Sequence, residues 1–296
     1  MKVLITGING FIGQHLARTL IEKNYSVVGV GRSLKCFSPK IEYYSGSVLD
    51  KKIILRAIKN ADAVVHLAAL TSHQDIVDNQ FETLEINFLG TKNLLDAFVV
   101  TNSAQKFLYA STGKVYGKVE NLPITEKHLT MPLNILGKAK FITERLIDFY
   151  SNSKKEFIIL RIFNVYGPGQ KDNFLIPTIL NQLGSKTKEI ILGDIEAERD
   201  YVYIDDVINS FVLALERKKI EGLSIYNICS GIGTSAAQII RMISNLKKTM
   251  IDVKINPSLQ RKDEMEVEYG SFELARKELK WIPKITLAEG LHKLLK

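Results

Sequence analysis

The first thirty residues admit few folds. Lys2 to Thr6 is a short apolar run, enough for one buried parallel strand. Gly7, Gly10 and Gly13 follow at G-x-x-G-x-x-G spacing. From Phe11 the apolar period becomes helical, through Phe11, Ile12, Leu16, Leu20 and Ile21, and a second strand is predicted at residues 26–31. Strand, glycine turn, helix, strand is the first βαβ unit of a dinucleotide-binding sheet. Each glycine has a physical task there. Gly7 lets the chain turn sharply out of the strand. Gly10 lets the backbone approach a pyrophosphate. Gly13 lets the helix pack close to the sheet. The helix start then offers free N–H groups and a partial positive charge to the phosphates.

The pattern continues with strands predicted at residues 41–45, 62–66, 106–111 and 157–162, and helices at 81–101 and 135–150. Such alternation predicts a parallel sheet covered on both faces. The strand ending at His66 runs into Leu67, Ala68 and Ala69, whose small side chains leave room above the sheet edge. After Gly167-Pro168-Gly169 the segments shorten and mix: helical at 174–183, 205–216, 235–246, 271–279 and 286–295, extended at 189–192 and 201–204. The expected fold class is α/β, a doubly wound parallel (Rossmann) sheet with a smaller C-terminal α/β substrate domain. Residues 1–168 are expected to bind the dinucleotide. Residues 169–296 are expected to be mainly the substrate domain, with some segments returning to the sheet and the ligand in the cleft between.

Composition narrows the class. No apolar stretch reaches the roughly 20 residues needed to span a bilayer. Cys36 and Cys229 are far apart and in no metal or redox spacing. No metal site is expected, and a reducing cytoplasm is the natural setting. Met1 leads straight into the first strand, so no signal peptide is expected. The net charge of +8 is scattered, without the basic block of a nucleic-acid binder, and it welcomes anionic ligands such as sugar diphosphates. No acidic residue closes the second strand to hold a ribose 2′-hydroxyl. Arg32 stands beside that place, and a planar guanidinium suits a 2′-phosphate. NADP is therefore favoured over NAD. The alternative is an arginine that stacks on adenine without selecting.

Eight blocks together resemble one family along essentially the whole chain. They are TGINGFIG (6–13), HLAA (66–69), EINFLGTKNLLDA (85–97), ASTGKVYG (110–117), GKAKFITE (137–144), RIFNVYGPGQ (161–170), RDYVYIDDV (199–207) and YNICSGIGTS (226–235). The family is the extended short-chain dehydrogenase/reductases, in the NAD(P)-dependent nucleotide-sugar epimerase/dehydratase group, and the last two blocks look most like 4-epimerases. The resemblance implies that Gly7, Gly10, Phe11, Ile12 and Gly13 cradle the pyrophosphate, and that Arg32 sits by the adenosine ribose. Ser47, Val48, Leu67, Ala68 and Ala69 border the cofactor. Thr112 falls on the catalytic Ser/Thr and Lys140 on the catalytic lysine that also binds the nicotinamide ribose. Asn164, Phe174, Arg199 and Arg261 would contact the nucleotide sugar. A homodimer through the two long helices is also implied.

The chain departs from this family at the proton-transfer group. The signature is Tyr-x-x-x-Lys, and four residues before Lys140 stands Leu136. Leucine neither takes nor gives a proton, and loss of such a base typically costs about 10²–10⁴-fold in rate. His73, in a loop expected to face the cleft, is one replacement. Ser47 stands where the family often has an adenine-binding aspartate. Gly113 and Lys114 replace the acidic pair of the 4,6-dehydratases, which argues against water elimination. Thr112 also reads as a strand-end cap, Lys140 as a surface lysine, and His66 as a packed residue. Three functions stay open: a 4-epimerase with an atypical proton group, a non-catalytic binder of dinucleotide and nucleotide sugar, and an NADPH-dependent ketosugar reductase.

Overall fold

A computed structural model describes residues 1–71, 79–184, 189–260 and 265–296. The strands in chain order are β1 (Lys2–Thr6), β2 (Ser26–Gly31), β3 (Glu42–Ser45), β4 (Ala63–His66), β5 (Lys106–Thr112), β6 (Glu156–Ile162), β7 (Asn164–Tyr166), β8 (Glu189–Leu192), β9 (Glu198–Tyr203), β10 (Gly222–Ile228), β11 (Gly233–Ser235), β12 (Asp252–Ile255) and β13 (Val267–Glu268). Seven of them form one sheet in the order β10-β6-β5-β4-β1-β2-β3, and every pairing is parallel. All seven residues of β6 are buried, as expected of a strand covered on both faces.

The strand order reverses between β1 and β4. From β1 the chain winds outward to β2 and β3, and from β4 the other way to β5 and β6. In open α/β sheets the ligand crevice lies at the carboxyl ends of the strands at such a reversal. Here those ends are Thr6 and His66, which are register partners.

Helices Phe11–Glu22 and Ile204–Glu216 pack together on one face, with Leu16, Leu20, Val207 and Phe211 in one buried cluster. Helices Lys51–Ile58, Gly90–Val100 and Ile135–Tyr150 cover the other, around Ile54, Leu94, Phe98 and Ile147. The long helical stretch predicted at 81–101 is interrupted. A π-helical turn, Glu85–Leu89, separates helices Gln80–Leu84 and Gly90–Val100. The Lys51–Ile58 helix, capped by Asp50 through the backbone N–H groups of Lys52 and Ile53, was not expected. The ends of β1, β2 and β8 fall where predicted, and those of the other predicted strands differ by one to three residues, most for β9, where pairing with β11 and β13 extends the strand back to Glu198.

Beyond β6 the chain builds a smaller layer. β7, β9, β11 and β13 form one small sheet and β8 with β12 another, while β10 returns to the edge of the main sheet beside β6. Among the described residues no helix is long and apolar enough to cross a membrane.

Candidate active site

The glycine loop is shaped by contacts that only hydrogen permits. Gly7 has φ +69°, and a Cβ there would lie 2.7 Å from the Ala68 nitrogen. A Cβ on Gly13 would lie 2.4 Å from the Gly7 carbonyl oxygen. The helix is thereby drawn against the loop it follows. Its N-cap, Gly10, has no side chain to cap the first turn, so N–H groups at the helix start stay available to an anion. Phe11 and Ile12, half-buried, open this helix.

Under the reversal point lies a hydrogen-bond chain whose polarity can be assigned. Thr91 Oγ1 donates to the Asn87 carbonyl at 2.6 Å, so it accepts from His66 Nε2 at 2.8 Å. His66 Nδ1 then accepts from Thr6 Oγ1 at 2.6 Å, and Thr6 Oγ1 accepts the Ala68 N–H at 3.3 Å. Burial, aided by the charge of Lys140, pushes the His66 pKa down to about 3. His66 is thus a neutral strut that ties β1, β4 and the Gly90–Val100 helix together, in keeping with its reading as a packed residue. The Asn87 side chain, on the π-helical turn, clamps both backbone groups of Leu70 at 2.9 and 3.1 Å. That clamp holds the strand exit along which Leu67, Ala68 and Ala69 lie half-buried.

The chemistry-bearing side chains gather at the carboxyl end of β5. Lys140, 4% exposed, donates to the Ala110 carbonyl at 2.7 Å and lies 4.5 Å above the Tyr109 ring. Burial lowers its pKa to about 7, against the pull of Glu144. An ammonium has three donors, and Lys140 uses one on protein among the described residues. Thr112 ends β5, and its hydroxyl accepts the Lys114 N–H at 3.3 Å, the capping contact foreseen as the alternative to catalysis. The same hydroxyl keeps its proton free to donate. Behind them Glu144, fully buried, accepts from Ser111 Oγ at 2.5 Å and from Arg161 Nη2 at 2.7 Å. This network holds β5, β6 and the Ile135–Tyr150 helix in one register. Leu136 lies half-buried on the first turn of that helix, one turn before Lys140.

The remaining predicted residues scatter more widely. Arg32 is largely exposed, with Nη1 3.7 Å from Glu82 Oε1. Ser47 Oγ accepts the Leu49 N–H, and Val48 is buried against the position of Gly90. Asn164 Nδ2 donates to the Asp200 carbonyl at 3.0 Å. Phe174, 36% exposed, directly precedes helix Leu175–Gly184. Arg199 is 8% exposed and lies 3.8 Å from Glu268 Oε2. Asp200 is fully buried and accepts N–H groups from Ser230, Gly231 and Gly270, and burial raises its pKa to about 6. It ties the Ser230–Gly231 loop and Gly270 to β9. His73 and Arg261 lie outside the described residues.

Sequence reasoning missed the ion cluster of Lys114, Glu268 and Arg199. Lys114 Nζ donates to Glu268 Oε2 at 2.6 Å across 154 positions of chain. No spacing signals such a pair. The one available hint was a cation two residues after Thr112, where an acidic residue had been looked for.

The family model described as GDP-mannose 4,6 dehydratase matches residues 4–294. GDP-6-deoxy-D-mannose reductase of Pseudomonas aeruginosa is 29% identical, over 99% of this chain and 96% of the relative. The crystal structure of UDP-glucose 4-epimerase from Thermotoga maritima with UDP-glucose superposes with a TM-score of 0.90 at 29% identity, over 100% of both chains. That of UDP-glucuronic acid 4-epimerase from Bacillus cereus, in complex with UDP-glucuronic acid and NAD, gives 0.89 at 27% identity, again over 100% of both. With the glycine cradle at the strand-order reversal and a match along nearly its whole length, the chain belongs to the extended short-chain dehydrogenase/reductases, in the enzyme group of nucleotide-sugar epimerases and dehydratases.

Proposed function

We propose that the protein is an NAD(P)-dependent nucleotide-sugar 4-epimerase acting on an NDP-hexose. The observation that carries this reading is that Thr112 ends β5 at the same carboxyl edge of the sheet as the glycine loop, with Lys140 on the Ala110 carbonyl and two of its donors unused among the described residues. The chain fits the dinucleotide: side chains at Gly7 or Gly13 would fill the cradle, and the helix start is free of side-chain caps. Gly7, Gly10, Phe11, Ile12 and Gly13 hold the pyrophosphate, and Lys140 holds the nicotinamide ribose. When bound, the dinucleotide accepts a hydride from the sugar carbon and gives it back. Thr112 orients the reacting hydroxyl through its donor hydrogen. Asn164, Phe174, Arg199 and Arg261 receive the nucleotide diphosphate. The UDP-sugar complexes of the similar structures support a UDP-hexose.

Arg32 favours the 2′-phosphate of NADP. Its exposed pair with Glu82 is worth about 1 kcal/mol or less, so a phosphate displaces Glu82 readily. The same arginine, with the reductase relative, supports a second reading as an NADPH-dependent ketosugar reductase. The protein is proposed to be a cytoplasmic homodimer. Phe81, Leu84, Leu89, Ile142 and Phe149 are 41–90% exposed on the two long helical stretches, an apolar face that a second copy would cover. Sedimentation at micromolar concentration is expected to give twice the 33.4 kDa chain mass; a monomer overturns that part.

The test of function is a panel of UDP- and GDP-hexoses and their 4-keto derivatives, run with NAD and NADP. Redox-neutral interconversion of C4 epimers is expected. Stoichiometric NADPH consumption by a keto-sugar selects the reductase. Tight binding of dinucleotide and NDP-sugar without turnover of any member makes the protein a binder.

A further inference from the structure

Lys114 occupies the ground between Thr112 and the turn that carries Leu136. Its N–H is held by the Thr112 hydroxyl. Its carbonyl oxygen is pressed against Gly137, where a Cβ would lie 2.4 Å away. The first turn of the Ile135–Tyr150 helix therefore sits directly on the Lys114 backbone, while the Lys114 side chain reaches Glu268. Gly113, Lys114, Asn134 and Glu268 line one cavity at this place. Glu268 is 3% exposed and takes one Lys114 donor at 2.6 Å, leaving the other two for the cavity among the described residues. Burial of a carboxylate is costly unless it is paired, and Glu268 has Lys114 and Arg199 beside one oxygen.

We propose that Lys114 and Glu268 form the proton relay of the sugar site, in the role that Leu136 cannot fill. The assignment rests on the epimerase reading above. In the oxidative half, the C–H bond at the reacting carbon breaks and its electron pair leaves as hydride to the bound nicotinamide dinucleotide. The O–H bond on the same carbon breaks, and its electrons form the C=O bond. A Lys114 proton passes to Glu268 Oε2, and the Nζ lone pair that this frees takes the hydroxyl proton. Lysine ends with the charge it began with, and the carboxylate becomes neutral. Hydride return runs the same transfers backwards. Neither neighbour replaces the relay. Thr112 can pass a proton on but not hold a second one, and Lys140, held on the Ala110 carbonyl, has its other donors committed to the nicotinamide ribose in the reading above.

The full-length protein with its dinucleotide is assayed against UDP-hexoses as wild type, Lys114→Met and Glu268→Gln. Calorimetry with UDP-hexose and thermal unfolding accompany each variant. Lys114→Met is expected to lower kcat by about 100-fold or more, with the UDP-hexose Kd within about threefold of wild type. Glu268→Gln keeps the shape and a hydrogen bond to Lys114 but not the ready proton acceptor. It is expected to lower kcat by at least about tenfold and so keeps the test sound should Lys114→Met fold poorly. Folded variants of both kinds with kcat within threefold of wild type overturn the relay and leave the epimerase standing. So does a loss of turnover matched by an equal loss of UDP-hexose binding. A wild type that binds both ligands and converts nothing overturns the epimerase reading, and the relay with it.

Discussion

Buried lysines stand at both edges of the central sheet, and they are used in opposite ways. At the amino edge, Lys155 reaches the carbonyls of Phe98, Thr101 and Ala104, where the Gly90–Val100 helix ends. Lys106 reaches those of Ala214, Leu215 and Arg217, where the Ile204–Glu216 helix ends. Each fills its three donors with the orphan carbonyls and negative dipole end of a helix. At the carboxyl edge Lys140 is buried as deeply, yet it meets one carbonyl and the face of a ring. Parallel winding explains the asymmetry. Helices run back against the strands, so their carbonyl ends collect at the amino edge and their N–H ends at the carboxyl edge. A lysine at the first edge is a structural cap. A lysine at the second finds few backbone acceptors.

That contrast can be broken by exchanging one residue at each edge. Lys140→Met is expected to cost the most, about 10²–10⁴-fold in kcat on whichever sugar the panel finds. Unfolding free energy at pH 7 should be no lower than that of wild type, since a nearly isosteric apolar chain replaces an amine whose charged form is penalised by burial. Lys155→Met should do the reverse. It strands three carbonyls and costs about 2–4 kcal/mol in urea unfolding, with kcat per folded molecule unchanged. Equal losses of stability in both variants would erase the distinction between the edges.

A further expected effect, with no change in turnover attached to it, is in the pH dependence of stability. The Lys140 pKa lies near 7 in the folded protein, below the roughly 10.4 of an unfolded lysine. Between these values the unfolded chain binds one more proton, so Lys140 makes stability rise with pH by up to about 1.4 kcal/mol per unit. Below pH 7 the contribution is flat. Asp200, raised to about 6, has the opposite sign at lower pH: stability falls as pH climbs from about 4 to 6, where the folded state binds the extra proton. Denaturant unfolding from pH 6 to 9.5 should show the upper slope in wild type and its loss in Lys140→Met. Parallel curves would mean that Lys140 is not tuned by its burial.

Much of the sheet was legible because its signals are local. A glycine turn, a change of period from 2 to 3.6 and a run of apolar residues are each read within a dozen positions. Helix Ile135–Tyr150 and strand β8 lie where the periodicity placed them. The Lys51–Ile58 helix was missed although its apolar side, Ile54, Ala57 and Ile58, is buried; eight residues give the helical period too few turns to stand out. The π-helical turn carries no sequence mark at all, yet it sets Asn87 on the Leu70 backbone.

By itself the sequence determined the order of the βα units and the glycine turn, because each is encoded by close spacing or by a local change of period, while Thr112, Leu136 and Lys140 were singled out through the resemblance of their blocks to a family. Only the tertiary structure decided that Glu268 closes on Lys114, that Glu82 meets Arg32, that Asp200 staples the smaller layer, and that β10 rejoins the sheet edge. These are pairings between segments far apart in the chain. They form because packed layers bring the two groups together in space, and neither residue type nor local spacing announces them.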